Sequence, residues 1–268
     1  MMRTPLIRTL AATAGVGLAL TAVACSSDDT GTDAAASTTS AAARTAQPEV
    51  DMSVYPALPA VPAAAASTVS CEYPSTSRQA AKPVQPPATT DVSTVGTAAV
   101  TLTTSQGPIG LTLDRAEAPC TVNSFVSLAE QGYFDDTPCH RLVTSPGLQV
   151  LQCGDPTGQG TGGPGYGFDN EYPTTVYGAD DPAGQQPMRY PRGTVAMANS
   201  GQPGSNGSQF FLVYADSVLP PQYTVFGTIS DEGLATVEKV AAAGDDGSMS
   251  AGGGKPNTPV QIETATVG

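Results

Sequence analysis

The residues of this 268-residue chain that could do chemistry are an arginine, two glutamines and an aromatic pair, with no obvious nucleophile or metal cluster among them. Arg141 follows the only histidine, Gln152 comes shortly after, and the run Gly193–Tyr214 reads GTVAMANSGQPGSNGSQFFLVY. Guanidinium and amide groups hydrogen-bond a peptide, and an aromatic ring such as Phe211 covers an apolar ligand. The combination favours a site that holds a polypeptide.

Other kinds of chemistry are disfavoured by charge and by missing partners. The 11 basic and 24 acidic residues give a net charge of -13, which repels phosphate backbones and argues against nucleic-acid binding. The glycine-rich stretch Gly158–Tyr172 has no G-x-x-x-x-G-K-[ST] pattern, and a single histidine leaves little room for a Ser-His-Asp hydrolase. The cysteines show no C-x-x-C spacing. We therefore expect neither a metal nor a cofactor.

Three segments carry a family resemblance. Together with Cys139-His140-Arg141 upstream and the run Tyr223–Gly227 downstream, Gly193–Tyr214 resembles the cyclophilin family of peptidyl-prolyl cis-trans isomerases, with its MAN strand end, NGSQFF run and VFG strand. The resemblance spans roughly residues 96 to 268. It implies an enzyme (EC 5.2.1.8) that accelerates isomerisation of X-Pro bonds, works without a cofactor and takes proline-containing polypeptides as partners.

The resemblance also assigns roles to individual residues. It implies Arg141, Gln152 and Phe211 as catalytic residues, with Arg141 as an always-charged hydrogen-bond donor to the prolyl amide. The residues that it implies for substrate binding are His140, Leu148, Val150, Ala198, Asn199, Gln209, Val218, Leu219 and Tyr223.

The chain departs from the family pattern at two of these places. The segment between Val143 and Gln152 is longer than usual, so Leu148 and Val150 share the role of the large apolar pocket residue. Val218 stands where many relatives carry tryptophan, and the chain contains none. We expect weak cyclosporin binding as a result.

The elements that must position these residues are mostly short strands. Alternating apolar residues predict a hairpin from Thr97, and the spacing of Val122, Phe125, Val126 and Ala129 predicts a helix from Pro119 to Gly132. A second helix is predicted over residues 234–243. Strands are predicted at 141–143, 150–152, 194–198, 209–213, 224–229 and 260–266. These elements indicate an all-β barrel or sandwich, and the resemblance implies a closed eight-stranded antiparallel barrel capped by two α-helices.

The N-terminal part reads as export and tether sequence. Residues 1–24 have the two arginines and short apolar run of a signal peptide, and Cys25 ends a stretch that resembles a bacterial lipobox. Residues 25–95 are rich in Ala, Ser, Thr and Pro and predict a disordered tether, which leaves 96–268 as the isomerase domain. We expect lipid anchoring to the bacterial cell membrane, with ordinary secretion as the alternative.

Four cysteines remain after Cys25, and an even number in an exported protein predicts two disulfides. Residues Cys71, Cys120, Cys139 and Cys153 allow three pairings, and their spacing does not choose among them. The family fold implies that Cys139 and Cys153 lie on neighbouring antiparallel strands. It thereby favours 139 with 153 and 71 with 120.

The leading functional hypothesis is a monomeric isomerase that assists the folding of exported or envelope proteins. The alternative from another class is a catalytically weak chaperone or adaptor that only binds proline-containing segments. Retention of Arg141, Gln152 and Phe211 together favours the enzyme.

Overall fold

Strands dominate the computed structural model of the protein, which describes residues 49–178 and 181–268. The strands are β1 Thr68–Val69, β2 Val92–Ser93, β3 Thr97–Thr104, β4 Gly107–Asp114, β5 Thr137–Pro138, β6 Arg141–Ser145, β7 Leu148–Cys153, β8 Met188–Tyr190, β9 Thr194–Met197, β10 Phe210–Val213, β11 Ser217–Leu219, β12 Val225–Ile229 and β13 Gln261–Val267. The α-helices are α1 Pro119–Glu130 and α2 Asp231–Ala242. The predicted signal peptide and the lipid-anchor residue Cys25 lie outside the described residues.

Nine strands form one antiparallel sheet in the order β5-β13-β3-β4-β12-β9-β10-β7-β6. The hairpin β3–β4 forms because apolar and threonine side chains alternate, so that one face of β3 is buried and the other is exposed along its whole length. The sheet confirms the predicted all-β class, its hairpin and the strands along the second half of the chain.

The two edges of this sheet are β5 and β6, and they are separated in the chain only by Cys139 and His140. The sheet therefore curls until its edges are neighbours. A closed barrel of eight strands is not confirmed. Strand β13 pairs with both β3 and β5, which adds a ninth strand, and Leu142 of β6 pairs with the isolated residue Gly254.

Both predicted helices are confirmed. Helix α1 begins with Pro119, whose missing N–H costs nothing at a helix start, and the carboxylate of Glu171 accepts hydrogen bonds from the backbone N–H groups of Cys120 and Thr121. Helix α2 is capped by Ser230, whose hydroxyl accepts from the Gly233 N–H at 3.1 Å. Within the described ranges, neither helix nor any other is long and apolar enough to cross a membrane.

Alternation along the strands divides the buried side chains into two clusters. The inner cluster, between the sheet and the helices, includes Leu142, Leu151 and Leu212 of neighbouring strands. The outer cluster is defined by Val143, Val150, Tyr172, Met188, Tyr190, Ala196, Phe211, Val213 and Val225. Because successive residues of a strand point to opposite faces, β6, β7 and β10 contribute to both clusters. Phe210 and Met197 lie in the inner cluster.

Residues 49–95 pack against the sheet more extensively than a tether requires. Pro56 accepts a hydrogen bond from the Arg189 N–H at 2.8 Å, and Leu58 packs on the outer cluster. Cys71 and Tyr73 are buried in the inner cluster. This segment is rich in proline and alanine, and its apolar residues recur with neither the strand nor the helix period. Its sequence therefore predicts a tether, although hydrogen bonds and a disulfide hold the segment in place. Described residues on both sides of the predicted boundary at 95 thus belong to one packed unit.

The four cysteines form the two disulfides that the family fold favours. Cys71 bonds Cys120, which joins the N-terminal segment to α1, and Cys139 bonds Cys153 beside the pair of strands β6 and β7. The predicted pairing is confirmed.

Candidate active site

Three predicted catalytic residues form a row across neighbouring strands. Arg141 on β6 is paired with Gln152 on β7, and Gln152 is paired with Phe211 on β10. Directly paired residues project from the same face of a sheet, and neighbouring strands lie about 4.8 Å apart. The arginine and the aromatic ring are therefore brought to one face with the glutamine between them.

The guanidinium of Arg141 is held by three hydrogen bonds. Its Nε donates to the carbonyl of Gly252 at 3.0 Å, its Nη2 to the carbonyl of Ala251 at 2.9 Å, and its Nη1 to the Gln152 side-chain oxygen at 3.2 Å. A guanidinium has five N–H groups, so two remain, one on Nη1 and one on Nη2. Partial burial lowers the pKa of Arg141, but a guanidinium loses its proton only at very high pH, so the group stays cationic at neutral pH. The site thus holds a fixed cation with two donors free for a ligand.

Amide side chains continue this polar row into a ledge. Gln152 donates to the Gln209 side-chain oxygen at 2.9 Å, and Gln209 donates to the carbonyl of Gly162 at 3.0 Å. The Gly162 loop is fixed from beneath by the buried carboxylate of Asp155, which accepts from the N–H groups of Thr161 and Gly162, each at 3.0 Å. Burial raises the pKa of Asp155, but the hydrogen bonds from Gly162 and Thr157 outweigh the effect of burial and lower the pKa overall. The ledge is rigid because each member is held at both ends.

The apolar side of the site is the surface of the outer cluster. Phe211 is 5 % exposed and stacks edge-on against Tyr223, with ring centroids 5.6 Å apart. The half-buried side chains of Leu148, Leu219 and Tyr223 pack on the same cluster and remain accessible to a ligand. Val150 is 3 % exposed and supports the cluster from beneath, so Leu148 is the better placed of the two predicted pocket residues. Val218 lies half-buried beside Leu219 on β11.

Strand β9 ends in a stretch of backbone that a peptide can reach. The side chain of Asn199 is occupied, since its amide nitrogen donates to the Gln222 carbonyl at 2.8 Å and its oxygen accepts from the Gly201 N–H at 2.9 Å. The Asn199 backbone N–H and C=O make no hydrogen bond with other described residues. Together with half-buried Ala198, this backbone can pair with an extended ligand as an added strand.

His140 does not join the other predicted binding residues. It is 4 % exposed, and alternation along the chain turns it to the opposite side from Arg141. Its two ring nitrogens have no hydrogen-bond partner among the described residues, and burial lowers the pKa of the imidazole. The resemblance of the His-Arg pair implies a binding role, but the structure buries the side chain of His140, whereas Arg141 beside it is half-buried in the row.

Several residues that help to form the site are not predicted from the sequence. Ala251 and Gly252 hold Arg141 through backbone carbonyls, which have no side-chain signature, although the run of glycines at 252–254 indicates a close approach of main chains. Residues 76–78 lie beside the ledge, although the sequence predicts that they belong to a tether. Among the described residues, no group of three or more His, Cys, Asp or Glu side chains could hold a metal ion.

Known proteins are similar to this chain in sequence and in fold. The probable peptidyl-prolyl cis-trans isomerase B of Mycobacterium leprae is 58 % identical over 199 residues, which cover 73 % of this chain and 66 % of the relative. Its namesake in Mycobacterium tuberculosis is 57 % identical over 210 residues, covering 77 % and 67 %. The chain thus spans about two thirds of the length of these relatives.

Solved structures agree with this similarity. A crystal structure of a Cryptosporidium parvum cyclophilin type peptidyl-prolyl cis-trans isomerase is 30 % identical, with a TM-score of 0.52, and covers 65 % of this chain and 98 % of its own. A second structure of that protein, obtained in the presence of the dipeptide Ala-Pro, has a TM-score of 0.50. The model of the family "Cyclophilin type peptidyl-prolyl cis-trans isomerase/CLD" matches residues 99–267. With its row of arginine, glutamine and phenylalanine on that fold, the chain belongs to the cyclophilin-type peptidyl-prolyl cis-trans isomerase family.

Proposed function

We propose that this protein catalyses the cis-trans isomerisation of X-Pro bonds in polypeptides. The observation that carries the proposal is the row of Arg141, Gln152 and Phe211, in which a fixed cation with two free donors stands beside an apolar cluster. The free backbone of Asn199 supplies a place for the peptide strand.

The reaction needs no bond to break. Rotation about a peptide bond has a barrier of about 18–20 kcal/mol because the nitrogen lone pair is delocalised into the carbonyl. In the twisted state the lone pair returns to the nitrogen, which then accepts a hydrogen bond better than the planar amide does. A free N–H of Arg141 can donate to it, while Leu148, Leu219 and Phe211 hold the proline ring. A rate gain of about 10^5 requires about 7 kcal/mol of preferential stabilisation of the twisted state.

The decisive experiment compares the wild type with Arg141→Ala on a short proline peptide. The wild type is expected to accelerate cis-to-trans exchange, and the variant is expected to lose about 10^2-fold or more in kcat/KM, because a charged donor is removed from a partly buried site. Exchange followed by NMR measures both. If the wild type binds the peptide but leaves its exchange rate unchanged, the protein is a chaperone or adaptor instead.

The cellular role is a second part of the proposal. The signal-like residues 1–24 and the lipobox-like Cys25 support export and attachment to the cell membrane through a lipid, with residues 26–48 as the remaining tether. A monomer there would assist folding of exported or envelope proteins, since the reaction uses neither ATP nor a cofactor. Cys25→Ala is expected to release the protein from the membrane fraction, and unaltered membrane retention would refute the anchor.

A further inference from the structure

A cavity of about 430 Å³ adjoins the ledge. Its lining includes Gln152, Gln209, Ala198 and Asn199 of the proposed site. A peptide that places its proline at Phe211 and pairs with the Asn199 backbone therefore passes the mouth of this cavity. A side chain near the proline can enter it.

One wall of the cavity comes from outside the part of the chain that matches the family model. Thr76, Ser77 and Arg78 line it, whereas the family match begins at residue 99. These residues form a loop whose ends are bonded to the glycine-rich segment: the Thr76 N–H donates to Gly165 O and the Ala81 N–H to Gly163 O, each at 2.9 Å.

The loop is also held from its N-terminal side. The disulfide Cys71–Cys120 and the hydrogen bond from the Tyr73 hydroxyl to the Cys120 carbonyl, at 2.7 Å, tie it to α1. The wall is therefore a fixed part of the cavity.

Among the described residues that line the cavity, Arg78 is the only charged one. One Nη1 hydrogen donates to the Thr161 carbonyl at 2.9 Å, next to the Gly162 carbonyl that ends the ledge, so four N–H groups remain. Arg78 is exposed, and it forms no ion pair within 4.0 Å with another described residue. Two acidic side chains lie close to the lining: Asp155 accepts from the N–H groups of Thr161 and Gly162, and Asp169 lies beside Gly204. In a chain of net charge -13, an unpaired cation at this place attracts acidic groups that the rest of the surface repels.

We propose that Arg78 is a specificity-determining residue, which makes the enzyme prefer client segments with an acidic side chain close to the proline. The inference rests on the proposed isomerase function and adds a substrate class to it. The acidic side chain enters the cavity, and its carboxylate accepts hydrogen bonds from the free N–H groups of Arg78. Residues outside the part of the chain that matches the family model thus select among proline-containing peptides.

The test uses a parent peptide with alanines around one X-Pro bond. Glu or Lys replaces one alanine at a time, at each of the three positions before and after that bond, and the kcat/KM ratio of the Glu to the Lys peptide is measured. The full chain is expected to favour Glu at one position by about two- to fivefold in low salt, the range of an exposed ion pair. The preference should shrink in 0.5 M salt.

Variants identify the residue responsible. Arg78→Gln is expected to bring the ratio close to one, and Arg78→Glu to invert it. Arg115→Glu is the matched control, because Arg115 also donates to a backbone carbonyl, that of Thr97, but does not line the cavity. It should keep the wild-type ratio.

Two results would overturn the inference: equal rates for Glu and Lys peptides at all positions, or a Glu preference that survives in Arg78→Gln. A wild type that fails to accelerate even the alanine parent would instead overturn the isomerase function, and the substrate preference with it.

Discussion

Arg141 has three of its five N–H groups committed to the protein before a ligand arrives. A free arginine side chain would lose rotamer freedom on meeting the substrate, whereas this one is already oriented. Arg141 and Arg78 therefore differ in how tightly the protein holds them. The guanidinium of Arg141 has three partners and is fixed in position. The guanidinium of Arg78 has one backbone contact and can adjust to a side chain of a bound peptide.

The state of His140 leads to a prediction about pH. Burial lowers the pKa of this imidazole, so it is neutral at pH 7 and above, and isomerisation transfers no net proton. We expect kcat/KM to change by less than about twofold between pH 7 and 9. A rate that follows a single ionisation in this range would show that a titrating group takes part.

The burial of His140 also determines how the stability of the protein changes with pH. In the folded state His140 binds its proton less readily than in the unfolded state, so the unfolded state gains protons first as the pH falls. The contribution of His140 to stability should therefore be constant above about pH 6.5 and decline as the pH falls below it. Thermal unfolding of the wild type and His140→Gln between pH 5 and 8 measures this, and the variant should lose less stability on acidification. Equal losses would contradict the argument.

At the scale of elements, the loop between α2 and β13 acts on the site through its backbone. Gly253 has a φ of +71°, and a Cβ there would meet the carbonyl oxygen of Leu142. Gly253→Ala must displace the neighbouring carbonyls of Ala251 and Gly252 from Arg141. We expect kcat/KM to fall about tenfold, the effect of losing one hydrogen bond to a charged group.

A matched control lies in the same loop. Gly247 has a φ of +63°, and a Cβ added there would have no neighbour within 4 Å. Gly247→Ala carries a similar backbone strain but leaves Arg141 in place, so its kcat/KM should stay near that of the wild type. If both variants lose activity equally, the loop does not act through Arg141.

The elements that the sequence predicts are those with a local pattern. Val100 and Leu102 alternate with threonines in β3, and α1 shows a helical period, so both can be found from neighbouring residues alone. Strands β8 and β11 have three residues each and pair with one another across a long stretch of chain, so periodicity cannot reveal them. For the site, the family motifs identify Arg141, Gln152 and Phe211. The carbonyls that hold Arg141 and the wall at Arg78 depend on contacts between distant segments.

At the scale of the whole molecule, the two disulfides have separate tasks. Cys71–Cys120 closes a separation of 49 residues and Cys139–Cys153 one of 14. In the chain-entropy model their removal costs about 4 and about 3 kcal/mol. The first ties down the wall that carries Arg78, and the second bonds the end of β7, next to Gln152, to Cys139, two residues before Arg141.

Replacing each pair by alanine should therefore give different defects. Cys71→Ala/Cys120→Ala is expected to lower the free energy of unfolding more and to weaken the preference for acidic peptides. Cys139→Ala/Cys153→Ala is expected to lower kcat/KM for the neutral alanine peptide more. Urea unfolding and the peptide assay measure the two effects, and a reversed order in both would contradict this division.

The way the sheet ends has a consequence for the proposed role in folding, which would bring the protein into contact with incompletely folded chains. Such chains carry unpaired β-segments, which add to any open strand edge and begin aggregation. Here one edge strand, β5, has only two residues, and on the other Leu142 exchanges both of its backbone hydrogen bonds with Gly254, at 2.8 and 3.0 Å. In that role the protein would resist coaggregation, because it offers the backbone of Asn199 for transient pairing and little open strand edge for lasting pairing.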